Sequence, residues 1–187
     1  MHALTTTPMP RLSTAARLLG LSGLALALLT TSPPPAQAQA EHQVVLDARE
    51  ALRKKDRTQL VTASVAAQRH PLVQWIEYWE LSNRLGGAQV DELEAFYARW
   101  PGTYVEDRLR NDWLLELGRR RDWSNFRAEY PRFKLDDDRE VRCYALLTRH
   151  LDGQDVTDEA RGAWLAQRDA DDGCALLAST LFEAKRI

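Results

Sequence analysis

Residues 96–101 read Phe-Tyr-Ala-Arg-Trp-Pro, and a related stretch, Phe-Arg-Ala-Glu-Tyr-Pro, follows thirty positions later at residues 126–131. Pro71, which follows the ring of His70, lies another thirty positions upstream of Pro101. Because a proline disfavours helical backbone at the residue before it, each of these prolines predicts a helix end followed by a new helix. A period of about thirty residues is typical of proteins built from repeated helical hairpins.

The apolar residues between these prolines recur with helical spacing. One set is Leu72, Trp75, Ile76 and Trp79, and another is Val105, Leu109 and Trp113. Stretches that alternate with period two and are rich in Val, Ile or Thr are too short to predict strands. The sequence therefore predicts an all-α fold, an α-solenoid or superhelix of short helical hairpins resembling tetratricopeptide repeats. An irregular helical bundle is the alternative.

Polar residues and glycines predict where the helices begin and end. Three starts are expected at Asp91 paired with Glu94, at Thr103 paired with Glu106, and at Asp122. Three stops are expected at Gly86–Gly87, Gly118 and Gly153, where a left-handed residue would end the helix. Outside the repeated part, further helices are predicted at residues 44–52, 56–68 and 174–186.

The first forty residues resemble an export signal. They carry Arg11 and Arg17, no acidic residue, and an apolar run from Leu18 to Leu29. That run is shorter than the roughly 20 residues needed to span a bilayer, and two Ala-x-Ala cleavage sites follow it at residues 36–40. We therefore predict a signal peptide at residues 1–40, a mature chain at residues 41–187 and no transmembrane anchor. An uncleaved anchor or a buried N-terminal helix is the alternative.

Composition excludes several classes of function. The formal net charge of the 187-residue chain is -2, which gives no overall field that attracts nucleic acid. Four His and two Cys are too few for an ordinary Cys/His zinc site, so no metal and no cofactor are predicted. In an oxidising compartment two thiols of one small domain commonly pair, and a disulfide between Cys143 and Cys174 is the favoured prediction. Two buried thiols are the alternative.

The remaining chemistry-bearing groups indicate structure rather than catalysis. The six Trp residues are predicted to pack in the core, and the run Arg119–Arg121 to complement the end of a helix. Asp136–Asp138 and the group Asp169, Asp171 and Asp172 lack the spacing of a calcium loop, so they are predicted to be loop and cap residues. Because the chain carries none of the common hydrolase, metalloprotease or phosphate-loop motifs, no catalytic residue is predicted.

Several of these segments, in this order, are similar to one known family. They are His70-Pro71-Leu72, Glu77 to Leu81, Arg84-Leu85, Phe96 to Pro101, Arg108 to Arg110, Asp112 to Leu114, Asp122-Trp123, Arg142 to Tyr144 and Gly173-Cys174. The set resembles the N-terminal helical superhelix of soluble lytic murein transglycosylases and covers most of the mature chain. The resemblance implies a periplasmic scaffold that embraces peptidoglycan glycan strands or supports the ring of helices.

In the resembled family, a C-terminal lysozyme-like domain cleaves between MurNAc and GlcNAc and forms a 1,6-anhydro product. Its catalytic Glu belongs to a Glu-Ser motif that occurs nowhere in this chain, so no catalytic residue is carried over. The chain is expected to lack that domain and to leave Leu177, Leu181 and Phe182 uncovered. Three hypotheses follow: a fragment of a transglycosylase, a stand-alone periplasmic module that binds a protein or glycan, and an enzyme acting within residues 41–187.

Overall fold

A computed structural model describes residues 35–186 of the chain, and these residues form helices joined by turns, with no strand among them. The prediction of an all-α fold is confirmed. The α-helices are α1 (Pro35–Lys54), α2 (Arg57–Ala66), α3 (Val73–Asn83), α4 (Val90–Arg99), α5 (Tyr104–Arg120), α6 (Trp123–Glu129), α7 (Arg139–Leu151), α8 (Thr157–Leu165) and α9 (Asp172–Glu183). Short 3-10 helices follow α3 at Leu85–Gly87 and α6 at Tyr130–Arg132.

The three prolines mark helix boundaries, as predicted. Pro71 lies between α2 and α3, Pro101 lies between α4 and α5, and Pro131 lies in the 3-10 helix after α6. Trp100 leaves the helical region, with φ -124° and ψ 47°. Tyr130 does not, because the chain continues into the 3-10 turn with φ -53° and ψ -40° while the Tyr130 ring stacks on Phe126. The expected loss of helical backbone before proline is therefore wrong at this position.

The helix starts follow local hydrogen bonding. Thr103 Oγ1 accepts from the backbone N–H of Glu106, and Asp122 accepts from the N–H of Asn125, both as predicted. The prediction that Asp91 and Glu94 start a helix is wrong, because α4 begins at Val90 and Asp91 lies inside its first turn. The bond that closes this end instead joins the Gln89 N–H to the Glu92 carboxylate at 2.8 Å.

Only one of the predicted glycine stops behaves as expected. Gly153 follows α7 with φ 85°, whereas Gly86 and Gly87 lie in the 3-10 helix. Gly118 lies inside α5, which ends at Arg120 and is followed by Arg121 in the left-handed conformation with φ 58°. A Cβ on Gly118 would collide with the ring of Tyr144 from α7, so this glycine permits close packing of α5 on α7.

Helix contacts connect elements that are close along the chain. α1 contacts α2 and α3, α3 contacts α5, and α5 contacts α6 and α7. α7 contacts α8 and α9, and α5 also reaches α9. The central apolar cluster is built by α3 to α7, with smaller clusters where α1 to α3 meet and where α7 to α9 meet.

The tryptophans divide between core and surface. Trp113 is buried, and Trp75, Trp79, Trp100 and Trp123 are partly buried against the apolar clusters, in line with the prediction. Trp164 is 48% exposed, so the core prediction is wrong for this residue. The expectation that the last helix is uncovered is wrong for Leu177 and Leu181, which are buried in the α7–α9 cluster, but Phe182 is 71% exposed.

Cys143 of α7 and Cys174 of α9 form the predicted disulfide, with their Cα atoms 4.9 Å apart. Both residues are buried, so the bond links the two helices inside their shared apolar cluster.

Residues 1–34 of the predicted signal peptide lie outside the described residues. The Ala-x-Ala segment at residues 36–40 forms part of α1. Within residues 35–186, no helix combines the length and the apolar character needed to cross a bilayer.

Replacing both Cys143 and Cys174 by Ala should lower the free energy of unfolding. The disulfide closes a loop with a sequence separation of 31, which corresponds to about 3 to 4 kcal/mol on the chain-entropy model. Urea unfolding of both proteins, with and without reductant, measures the difference. Reductant should destabilise the parent protein and leave the double variant unchanged; equal sensitivity of the two would contradict a structural role for the bond.

Gly118→Ala should destabilise the fold by about 1 to 3 kcal/mol, because the added methyl group overpacks the buried ring of Tyr144. Gly162→Ala in α8 is the matched control, since none of the described atoms lies within 4 Å of its Cβ position. The control should gain up to about 1 kcal/mol from helix propensity. Thermal unfolding distinguishes the two, and equal effects would show that the close approach of α5 and α7 is unimportant.

Candidate functional site

One face of α5 carries three chemically different side chains at successive turns. Tyr104, Arg108 and Asp112 are spaced four residues apart, which places them in a row along the helix. Each directly precedes a residue of the buried stripe of Val105, Leu109 and Trp113, so the row lies about 100° around the helix from that stripe. The Tyr104 side chain is 54% exposed, although its ring contacts the ring of Trp75 from α3.

Helix α3, which packs on α5, supplies two further aromatic rings beside Tyr104. The ring centroid of Trp75 lies 5.8 Å from that of Tyr104 and 6.1 Å from that of Tyr78. Trp75 is partly buried against the central apolar cluster, so it supports the more exposed Tyr104 ring from one side. We refer to Trp75, Tyr78, Tyr104, Arg108 and Asp112 as the α3–α5 surface.

Asp112 is the acidic group of this surface. The hydroxyl of Tyr78 donates a hydrogen bond of 2.8 Å to its carboxylate, which joins α3 to α5. Burial raises the pKa of Asp112 above its usual value, while the hydrogen bond from Tyr78 and the nearby charge of Arg108 act in the opposite direction. Burial and the Asp112 charge together raise the pKa of Tyr78, so the phenol remains a hydrogen-bond donor at neutral pH.

Arg108 is the basic group. Its side chain is 28% exposed, and its closest described ion pair is with Asp137 at 3.8 Å. That separation is longer than the 2.7–2.9 Å of a strong charge-assisted hydrogen bond. The charge of Asp112 acts on Arg108 as well, so the guanidinium lies between two carboxylates.

Asp137 belongs to the loop before α7, and hydrogen bonds from α5 hold this loop in place. The Asp107 carboxylate accepts from the backbone N–H groups of Lys134 and Leu135, the latter at 2.7 Å. Asn111 donates from Nδ2 to Asp138 at 3.2 Å, and Asp138 caps α7. Polar residues of α5 thus hold this loop beside Arg108.

A second polar group, behind the α3–α5 surface, is structural. Arg110 is 2% exposed, forms ion pairs with Glu106 and Glu129, and lies over the ring of Tyr97 at 4.1 Å. Because this guanidinium is enclosed by these partners, it is not accessible to a ligand, although its Nε has no hydrogen-bond partner within the described chain.

The other charge runs have structural roles, as predicted. Arg119 and Arg120 in the last turn of α5 both pair with Glu116, and Arg120 also donates to the Gly86 carbonyl at 2.6 Å. Asp138 and Asp171 accept from backbone N–H groups at the starts of α7 and α9.

An apolar groove lies between α8 and α9, with a volume of about 390 Å³. Trp164 and Phe182 form its exposed rim, and Leu177 and the two cysteines lie beneath them. Its lining is almost entirely apolar, so the groove is suited to burying a hydrophobic group.

The cysteines are the only site residues that the sequence predicted, and the structure brings them together. Within residues 35–186, the one group of three possible metal ligands is Cys143, Asp171 and Cys174. Both of its thiols are used by the disulfide, and Asp171 pairs with Arg139 at 2.8 Å. This arrangement is unsuited to metal binding.

The α3–α5 surface was not predicted from the sequence. The four-residue spacing of Tyr104, Arg108 and Asp112 is visible in the sequence, but it became a site only when α3 placed Trp75 and Tyr78 beside it. No family model, no curated protein and no solved structure matches the chain. The resemblance to lytic transglycosylases therefore rests on the sequence segments quoted above.

The pKa of Asp112 should lie above 3.8, and Tyr78→Phe should raise it further by removing a hydrogen bond that favours the carboxylate. A carboxyl carbon NMR titration of the two proteins measures both values. Because the folded-state pKa is raised, the stability due to this group should be lost as pH rises from the unfolded-state pKa through the folded-state pKa. An Asp112 pKa that does not change in Tyr78→Phe would contradict the described contact.

Proposed function

We propose that this chain is a periplasmic helical scaffold of the kind that lytic murein transglycosylases place ahead of their catalytic domain, and that it binds peptidoglycan glycan strands. Its helices would form a superhelix. Contacts between helices that are adjacent or next but one along the chain support that arrangement. The scaffold itself cleaves no bond.

The observation that carries the proposal is the α3–α5 surface. Sugar rings present apolar C–H faces together with hydroxyl groups, and an exposed aromatic ring beside charged hydrogen-bonding groups offers a partner to both. Tyr104 supplies the exposed ring, Arg108 supplies N–H donors, and Asp112 supplies acceptor oxygens. The hydrogen bond between Tyr78 and Asp112 fixes the polar part of the surface before a ligand arrives.

The α3–α5 surface also argues against the enzyme hypothesis. Asp112 is a carboxyl group with a raised pKa, which is a property of glycosidic acids. A glycosidase needs a second carboxylate at about 5 to 9 Å across a cleft that holds the sugar. The Asp112 carboxylate already accepts a hydrogen bond from Tyr78 of α3, so we assign it to binding.

A stand-alone module that binds a protein partner is the second candidate. The apolar groove between α8 and α9 favours it, because Trp164 and Phe182 expose large apolar surface at one place. The two candidate functions predict that different residues are needed for binding. One set of variants can therefore distinguish them.

Tyr104→Ala should weaken binding to purified sacculi about two- to tenfold, which corresponds to the loss of one aromatic contact. Tyr104 is the first residue of α5 and is half exposed, so its removal should leave the fold intact. Co-sedimentation of the protein with sacculi over a range of concentrations measures the effect.

The matched control is Trp164→Ala, which removes a similarly exposed ring from the α8–α9 groove. It should bind sacculi as the parent protein does. Loss of binding in Trp164→Ala but not in Tyr104→Ala would assign the contact to the groove, and no binding by the parent protein would refute the glycan proposal.

A further inference from the structure

The face formed by α8 and α9 carries both an apolar groove and an exposed aromatic ring. The groove has a volume of about 390 Å³, and the buried Leu177 lies beneath its rim. Phe182 lies on the rim and is 71% exposed, and among the large apolar residues of the described chain only Leu165 is more exposed. Apolar surface gathered at one place is typical of a contact site. Because the groove and the ring lie side by side, this face is complementary in shape to a second copy of itself.

The charged groups at the edge of the groove have the same property. Arg161 lines the groove with its side chain 60% exposed, and it pairs with Asp158 at 3.0 Å. Asp158 is 95% exposed, and an ion pair in that much water contributes little to stability, so exchanging its partner costs little. A partner with an excess of one charge would be repelled by one of these two groups. A second copy related by a twofold axis offers an acid to each base and a base to each acid.

We infer that the chain associates through this face into a dimer with a twofold axis. The Phe182 ring of each copy enters the groove of the other copy beside Trp164, and Arg161 of each copy pairs with Asp158 of the other. Such an interface closes on itself, so association stops at two copies. The inference goes beyond the proposed function and does not depend on it, because the groove shares no residue with the α3–α5 surface.

The size of the groove sets the strength of this association. Nine residues line the groove. Stable interfaces use about 20 to 30 residues on each side, so the dimer should be weak, with a dissociation constant of about 10 to 100 µM. The disulfide between Cys143 and Cys174 ties α9 to α7 beneath the groove, so this face is ordered before association and little entropy is lost in forming it.

Sedimentation equilibrium of the purified protein, from about 1 µM to about 1 mM, measures the association. Phe182→Ser should raise the dissociation constant at least about tenfold, because it removes the ring that fills the groove of the other copy. Val65→Ser is the matched control. It removes an apolar side chain of α2 that is 70% exposed and lies outside the groove, so it should leave the dissociation constant unchanged.

A charge reversal tests the arrangement of the two copies. In Arg161→Asp and in Asp158→Arg, each copy presents like charges to its twin, so each variant alone should associate about tenfold more weakly than the parent protein at low salt. An equimolar mixture of the two variants restores opposite charges at both contacts. The mixture should therefore form a heterodimer about as tightly as the parent protein forms its dimer. Thermal unfolding verifies that the variants fold.

Several outcomes would overturn the inference. The first is a parent protein that stays monomeric up to about 1 mM, or one that is weakened equally by Phe182→Ser and Val65→Ser. Assembly beyond two copies would contradict the twofold axis, and a mixture no tighter than the separate variants would contradict the exchanged ion pairs. A monomer that binds another protein through Trp164 would assign the groove to that protein instead. None of these results bears on glycan binding.

Discussion

Burial of the Arg110 guanidinium is the constraint on which the centre of this protein depends. A charge that is 2% exposed is tolerated only when partners compensate for its lost hydration. Glu106 of α5, Glu129 of α6 and the ring of Tyr97 from α4 provide that compensation. Because each partner comes from a different helix, satisfying one side chain fixes the relative positions of α4, α5 and α6.

The polar groups of the α3–α5 surface are positioned by contacts that other residues of α5 make with the neighbouring loop and helix. Asp107 and Asn111, which neighbour Arg110 on the helix, hold the loop before α7 through its backbone and through Asp138. The loop in turn places Asp137 near Arg108, while Tyr78 anchors Asp112 from α3. Contacts made for folding thus order the polar groups of the α3–α5 surface before any ligand arrives, which lowers the entropy lost on binding.

The all-α fold and most helix boundaries could be predicted because they depend on local signals. The prolines, the caps at Thr103 and Asp122, and the spacing of Val105, Leu109 and Trp113 act within one or two turns. Gly118 was wrongly assigned to a helix end because its role depends on Tyr144, which is 26 positions away. The disulfide could be predicted because the chain has only two cysteines and export was expected. The contact between Trp75 and Tyr104 depends on the packing of α3 on α5, which no short pattern specifies.

At a surface of this size the proposed contact with a single sugar would be weak, which suits a scaffold for a polymer. One aromatic contact and a few hydrogen bonds would account for only a few kcal/mol before the cost of association is subtracted. A glycan strand repeats the same sugars, so a dissociated ring is followed by an equivalent one at high local concentration. Under the proposed function, weak contact at each sugar with repeated opportunity along the strand would let the scaffold retain a polymer while the strand still moves past it. A surface formed by two packed helices has the open geometry that the proposed binding would require.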